Sequence, residues 1–214
     1  MNVKWQAVLT QFAAMPLFHS SMLRVFPDEP AVIQVQLSRW VKAGRLVRLR
    51  RQWYLINKPW RAKDVPLSYI AAQIVRPSYL SLEWALQHHG LIPDAVQNPT
   101  SVTTSRPQCI RALDRLFLYF HVRPELLTGF RLVSDEGWPV PVASAEKALF
   151  DKVYFHVRRR PFSADWLKEL RLQNLAAFDI ENFLSFGDKS SKWGLRAALR
   201  AAADIISQMQ KERR

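Results

Sequence analysis

The chain has 214 residues, and its 31 Lys and Arg against 18 Asp and Glu give a formal net charge of +13. Such an excess predicts a polyanionic partner, because cationic side chains that neutralise phosphates release condensed counterions. Charge alone does not distinguish DNA from RNA or an anionic membrane. With 49% hydrophobic residues the chain can bury one large core or two small ones.

Cysteine usage and hydropathy exclude several classes of protein. The single Cys109 cannot form an internal disulfide or anchor a thiolate zinc site, which removes zinc fingers from the modes of DNA binding. No run of about 18 apolar residues occurs, and the N-terminal residues lack the pattern of a secretory signal. We therefore expect a cytoplasmic protein without a membrane partner.

The first residues predict two short helices. The segment from Val3 to Ala14 carries apolar residues at helical spacing, and a second helix is expected from about Pro16 to Val25, because proline is tolerated at a helix start. The proline-rich run FPDEP that follows predicts a turn.

A basic stretch from Ala31 to Lys63 contains nine Lys or Arg residues and no Asp or Glu. Its first part, Ala31 to Gly44, has the period of an amphipathic helix, with an apolar face made by Ile33, Leu37, Trp40 and Val41. Two short strands should follow, one containing Leu46 and Leu49 and the other Trp53 to Ile56. A helix followed at once by a basic hairpin is typical of the recognition helix and wing of a winged helix-turn-helix, which we place in residues 1–58.

In that interpretation the basic stretch both positions the protein on DNA and reads its sequence. Gln34, Ser38 and Arg39 would meet base edges in the major groove, since Gln pairs with adenine and Arg with guanine. Lys42, at the helix end, would bind a phosphate. The wing residues that would contact phosphates or enter the minor groove are Arg45, Arg48, Arg50 and Arg51.

Simpler explanations exist for the same residues. A basic stretch is often only a solvated face, and Arg39 could serve an ion pair within the fold. The aromatic residues Trp40, Trp53 and Tyr54 could stack on bases, but their spacing favours packing in the core.

A second, mixed α and β domain is predicted at residues 65–214, where the polar segment NKPWRAKDVP of residues 57–66, with its two prolines, marks the division of the chain near 57–65. The overall class is therefore α+β, with a helical tail. The predicted helices are Pro66 to Val75, a segment capped by Ser81 and ended by Gly90, and Ala145 to about His156 capped by Ser144. The predicted strands are Ser101 to Ser105, Leu116 to Val122, and a hairpin of Phe130 to Val133 with Trp138 to Val142.

Three runs in this second region resemble the AbiEi family of antitoxins from bacterial type IV toxin-antitoxin systems. They are SYLSLEWALQHHGLI from Ser78, SVTTSR from Ser101 and ASAEKALFDKVYF from Ala143. The matching positions are Tyr79, Ser81, Leu82, Glu83, His89, Gly90, Val102, Thr103, Thr104, Glu146, Lys147, Ala148, Leu149 and Asp151, with Tyr54 in the wing. The runs occur in the family's order, and together with the wing they span nearly the whole chain.

The resemblance implies a transcriptional autorepressor that binds inverted repeats in its own promoter and neutralises a toxin of nucleotidyltransferase type. A stand-alone regulator of the same architecture is the alternative. Gln52 replaces the glycine usual in the family's wing turn, so a looser turn is expected there. No heptad seam is present, which favours a monomer that binds repeats cooperatively over a stable dimer.

Signals for an enzyme are weak, and we expect no catalytic residue, metal or cofactor. Glu83, Glu146 and Asp151 would be the carboxylates of a metal-dependent nuclease, but the first two fall in helix first turns, where the helix dipole already stabilises them. His88 and His89 are adjacent and cannot share one helix face, and His89 is better explained as a hydrogen-bonded core residue. Phosphate-loop, GxSxG and HExxH motifs are absent.

A second basic patch lies near the end of the chain. It comprises Arg158, Arg159, Arg160, Lys192, Arg196 and Arg200, with Lys189 and the terminal KERR nearby. Arg196 and Arg200 are four residues apart and would share a helix face. The patch could extend a DNA footprint, dock an acidic protein surface or be merely solvated, and the sequence leaves these open.

Overall fold

The computed structural model describes residues 4–189 and 193–212, which form an α+β protein with two β-sheets. The first sheet lies within residues 4–56 and is antiparallel, with strand order β1-β3-β2. In chain order the elements of this part are α1 (Trp5–Phe12), β1 (Leu17–His19), a 3₁₀ turn (Ser20–Val25), α2 (Pro30–Lys42), β2 (Leu46–Arg50) and β3 (Trp53–Ile56).

The helix predicted from Pro16 to Val25 is wrong in its first half. Leu17 to His19 is instead strand β1, paired with β3, and only Ser20–Val25 is helical, as a 3₁₀ turn. Consecutive side chains explain the outcome, because Phe18 packs with the helices α1 and α2 whereas Leu17 packs with the following part of the chain. The sequence of a short apolar run that is buried on both faces is compatible with a strand and with a buried helix. In this chain, pairing with β3 makes it a strand.

The first sheet therefore has two buried faces. Along β3, Tyr54 and Ile56 belong to a core shared with α1 and α2, while Leu55 points into the larger core of residues 65–206. Such alternation is the period of two expected of a strand. Through Leu55 the first sheet packs against the rest of the molecule. The domain boundary expected at 57–65 stays a prediction.

The second sheet has six strands in the order β6-β7-β5-β4-β9-β8. Most neighbours are antiparallel, but β5 pairs with β7, and β4 with β9, in parallel. The strands are β4 (Ser78–Leu80), β5 (Thr100–Thr103), β6 (Gln108–Ala112), β7 (Arg115–His121), β8 (Phe130–Asp135) and β9 (Trp138–Ala143). The hairpin of β8 and β9 confirms the sequence prediction, whereas β4 and β6 were not expected.

Helices cover this sheet on both faces. The helices of this part of the chain are α3 (Leu67–Ile74), α4 (Leu82–His88), α5 (Ala145–Val157), α6 (Ala164–Glu169), α7 (Ile180–Ser185) and α8 (Trp193–Glu212). On β7 the hydroxyl of Tyr119 donates to the carbonyl of Ala71 in α3, while the next residue, Phe120, packs against Phe155 of α5. Helices α3 and α5 thus lie on opposite faces, and α5 contacts α4, α7 and α8.

Helix α5 shows how local sequence determines an element. Ser144 accepts a hydrogen bond from the backbone N–H of Lys147, as the sequence predicted for a cap. Every residue of α5 from Lys147 to Tyr154 except Lys152 is buried, so the helix lies at the centre of the second core. Within the described residues no helix is both long enough and apolar enough to span a bilayer.

Candidate nucleic-acid interface

Helix α2 and the β2-β3 hairpin carry most residues of the candidate interface. Pro30 occupies the first turn of α2, and Gly44, with φ +68°, ends it in the left-handed conformation. Asn57 donates from Nδ2 to the carbonyl of Gly44 at 2.9 Å, which fixes the turn into β2. The buried residues of α2 are Ile33, Leu37 and Trp40, which are three of the four predicted.

The solvent face of α2 carries the residues expected to meet base edges. Gln34, Ser38, Arg39 and Lys42 are all exposed. The hydroxyl of Ser38 donates to the carbonyl of Gln34 at 3.0 Å, so its proton is already committed and it can only accept from a base. Neither Arg39 nor Lys42 has a hydrogen-bond or ion-pair partner within the described part of the chain, which is the arrangement a polyanion would require.

In the hairpin, Arg48 on β2 and Arg51 in the turn are exposed and likewise without a partner among the described residues. The looser turn expected from Gln52 is wrong. Gln52 itself adopts φ +68°, the left-handed geometry that glycine would supply, so the turn stays tight at the expense of strain in a residue with a Cβ.

Two wing arginines have partners inside the protein. Arg50 is half-buried, and its Nη1 donates to the carbonyl of Ile74 in α3 at 2.9 Å. The guanidinium of Arg45 lies over the ring of Trp5 in α1, 5.6 Å from its centroid. Arg50 is therefore removed from the expected phosphate contacts, because its donors are directed into the fold. Arg45 is held beside α1, partly exposed.

The remaining cations of the basic stretch are not equivalent either. Lys58 and Arg61 both pair with Asp64, at 3.0 and 2.9 Å. These contacts hold the pKa of the Asp64 carboxyl below its usual range, with the hydrogen bond from Lys58 as the largest cause. Lys63 lies over the ring of Trp138, with Nζ 4.6 Å from its centroid. Among the described residues, the cations of the stretch without a partner therefore lie on α2, on β2 and in the hairpin turn.

The aromatic residues of this region are packed rather than presented. Trp40 and Tyr54 are buried, and Trp53 is half-buried with its ring 5.3 Å from that of His19. Stacking on bases would require exposed ring faces, so these three aromatic residues are better explained as part of the core.

The second basic patch divides between different surfaces. Arg158 lies over the ring of Tyr154 and donates to the carbonyl of His121 at 3.4 Å. Arg159 and Arg160 are exposed in the turn after α5 and line one cavity, while Arg196 and Arg200 on α8 line another together with Glu181 and Asp188. Acidic neighbours make the α8 surface a poorer match for DNA phosphates. Lys192 and the terminal arginines lie outside the described residues.

The carboxylates considered for a nuclease serve the fold. Asp151 is fully buried and accepts hydrogen bonds from Tyr79, Ser81 and Lys147. Glu83 pairs with Lys152, and Glu146 accepts from the backbone N–H of Asp179 at 3.3 Å. Across residues 4–189 and 193–212 no three His, Cys, Asp or Glu side chains are grouped so as to hold a metal ion.

The cluster around Asp151 also corrects one sequence prediction and confirms another. Ser81 precedes α4 but makes no side-chain cap, because its hydroxyl donates to Asp151 at 2.7 Å. His89 contacts the carbonyl of Ala143 through Nε2 at 2.7 Å, as expected of a hydrogen-bonded structural histidine.

No protein-family model matches the chain, and no curated protein matches it. Conclusions about function therefore rest on the sequence and on the geometry described above.

Proposed function

We propose that this chain is a DNA-binding transcriptional regulator whose residues 1–58 form a winged helix-turn-helix. The observation that carries the proposal is the solvent face of α2, where Gln34, Arg39 and Lys42 stand exposed beside a hairpin whose turn presents Arg51. A helix with free donors on one face and a buried apolar stripe on the other has the dimensions to enter a major groove. The connection supports the same assignment, since α2 ends at Lys42 and β2 begins at Leu46, which places the hairpin next to the end of α2.

The division of labour follows from the chemistry of each side chain. Arg39 can make a bidentate pair with guanine and Gln34 with adenine, whereas Lys42 is suited to a phosphate as a point charge. Arg48 and Arg51 would hold the backbone on either side of the groove, with Arg45 beside them. Arg50 has no part in this contact, because its guanidinium supports the hairpin from within.

We further propose autorepression through inverted repeats and an antitoxin role, on the strength of the resemblance of the runs at Ser78, Ser101 and Ala143 to AbiEi proteins. The first and third of these runs are in contact, since Tyr79 and Ser81 meet Lys147 and Asp151 in one buried cluster. A stand-alone regulator differs only in lacking a toxin, so a nucleotidyltransferase gene next to this one would separate the two. We propose a cytoplasmic protein that is monomeric in solution.

The experiment is a gel-shift titration of the whole chain against its own upstream DNA at two salt concentrations, with an unrelated duplex as competitor. Stepwise complexes that resist the competitor and weaken with salt are expected. The matched variants are Arg39→Ala and Arg123→Ala, which remove one positive charge from α2 and from the loop after β7 respectively. Equal affinity for both duplexes, unchanged by Arg39→Ala, would contradict sequence-specific binding.

A further inference from the structure

A cavity of about 330 Å³ opens on the α5 side of the second sheet, away from the residues assigned to DNA. It lies between the start of α4, strand β7, the C-terminal half of α5 with the turn that follows, and α6. Its lining combines cations with aromatic rings: Leu82, Glu83, Phe120, Lys152, Phe155, His156, Arg159, Arg160 and Trp166. The volume falls at the lower end of the range of small-molecule sites.

The charged groups of the cavity leave two cations for an anion. Glu83 and Lys152 form an ion pair and largely neutralise each other. Arg159 and Arg160 are both exposed, and neither side chain has a partner within residues 4–189 and 193–212. Two adjacent guanidinium groups with free donors fit the oxygens of a phosphate, which they can bind through several charge-assisted hydrogen bonds.

The remaining wall is aromatic and held in place. Phe120 packs against Phe155 at 5.2 Å between centroids, and His156 stacks on Trp166 at 3.8 Å with an interplanar angle of 16°. The His156 ring is further fixed by a contact of 3.2 Å between Nε2 and the carbonyl of Pro161. Phe120, Phe155 and Trp166 are each only half-buried and line the cavity, so a flat ring can pack against them at little cost in side-chain entropy.

We propose that this cavity binds a nucleotide, with the phosphate on Arg159 and Arg160 and the base against Phe120, Phe155 and Trp166. Glu83 accepts from Lys152 through Oε1, so its second carboxylate oxygen is available to an exocyclic amino group. Bases that carry such a group, such as adenine, are therefore preferred over uracil. A free nucleotide and the 5′ end of a nucleic-acid strand share this chemistry.

The test is calorimetric titration of the whole chain with adenosine 5′-monophosphate, uridine 5′-monophosphate, adenosine and inorganic phosphate. Saturable binding is expected, tightest for adenosine 5′-monophosphate. The variant with Arg159→Ala and Arg160→Ala should bind the nucleotide at least about tenfold more weakly while binding adenosine unchanged, because it loses only the phosphate contacts. The control, Arg196→Ala with Arg200→Ala, removes the same charge from α8 and should bind as the parent does.

Three results would overturn the proposal: no binding of adenosine 5′-monophosphate, binding no tighter than that of inorganic phosphate, or equal weakening in both double variants, which would mean a diffuse charge effect. Thermal unfolding of each variant verifies that the fold is retained, and substitution at the exposed arginines is not expected to disturb it. A 5′-phosphorylated trinucleotide distinguishes the two sources, since binding tighter than that of the mononucleotide, and weakened by Arg159→Ala with Arg160→Ala, would assign the cavity to a strand end. The outcome is independent of promoter binding through α2.

Discussion

Lys147 and Asp151, one turn apart on α5, form an ion pair from which solvent is excluded, with Nζ 2.6 Å from Oδ1. The other carboxylate oxygen accepts from Tyr79 at 2.9 Å and from Ser81 at 2.7 Å. Burial raises the pKa of the Asp151 carboxyl, and Lys147 and the two hydroxyl groups oppose that effect. The cluster joins β4, the start of α4 and α5, which are far apart in the sequence.

Removing one member of this pair should destabilise the protein strongly. Lys147→Met leaves a carboxylate without its cation in the core, and the loss expected from such a change is about 3–5 kcal/mol of unfolding free energy. Urea denaturation followed by circular dichroism measures it. Lys152→Met is the matched control, since its pair with Glu83 is partly exposed and should contribute only about 0–1 kcal/mol.

A double replacement tests whether the Lys147–Asp151 ion pair itself stabilises the fold. Lys147→Met combined with Asp151→Leu removes both charges, and apolar residues in such places often restore stability. We expect the double variant to be more stable than Lys147→Met alone. Equal or greater loss in the double variant would mean that the hydrogen bonds of Tyr79 and Ser81 to Asp151 dominate the cluster.

Arg50 should behave as a structural residue despite its position in a basic hairpin. Arg50→Met leaves the carbonyl of Ile74 without its donor, at an expected cost of about 1–3 kcal/mol in unfolding free energy. Its neighbour Arg51 is exposed and without a partner in the described chain, so Arg51→Met should change stability by less than about 0.5 kcal/mol. Chemical denaturation of both variants decides the point, and similar losses would argue against the contact with α3.

Gln52 and Gly44 both have a positive φ, so adding a glycine at one and removing it from the other should change the stability of the protein in opposite directions. Gln52→Gly should raise unfolding free energy by up to about 1 kcal/mol, because φ +68° strains a residue with a Cβ. Gly44→Ala introduces the same strain at the end of α2, although an added Cβ there meets nothing within 4 Å. This substitution should lower the unfolding free energy by about 1 kcal/mol. Thermal or urea unfolding compares them. A stabilising Gly44→Ala would contradict the conformational argument.

Elements with strong local signals could be predicted from sequence. The cap at Ser144 and the buried run after it predicted α5 to within a residue of its observed end at Val157. Strand β4 could not be predicted in the same way, because a span of three residues is too short to display a period and is held by β5 and β9 on either side. The strand at Leu17 was missed for the same reason, since its partner β3 lies more than thirty residues later.

For individual residues too, the sequence predicts what depends on local spacing and not what depends on distant partners. Exposure of Gln34, Arg39 and Lys42 follows from the helical period, and the sequence predicted it correctly. The role of Arg50 could not be read from the hairpin, because its acceptor belongs to α3. Nor could the cap expected of Ser81 be corrected without knowing that Asp151 lies beside it, since non-local hydrogen bonds have no signature in local spacing.

If the proposed function is right, salt dependence will separate the residues assigned to positioning the protein on DNA from those assigned to reading the sequence. Replacing Arg48 or Arg51 by Ala should reduce the slope of log affinity against log salt by about 0.9 each, because each removes one phosphate contact. Affinity for the upstream DNA and for an unrelated duplex should fall together. Arg39→Ala should instead cost about 1–3 kcal/mol of discrimination between the two duplexes, because a bidentate contact to guanine is lost.

Arg50→Met is the control for these measurements, since it removes a charge of the same hairpin that is directed into the fold. Its slope should equal that of the parent once folding is verified at the assay temperature. Fluorescence anisotropy with labelled duplexes at four salt concentrations gives all the slopes. If Arg50→Met reduces the slope as much as Arg51→Ala, then Arg50 leaves Ile74 to bind phosphate, and the hairpin must rearrange on DNA.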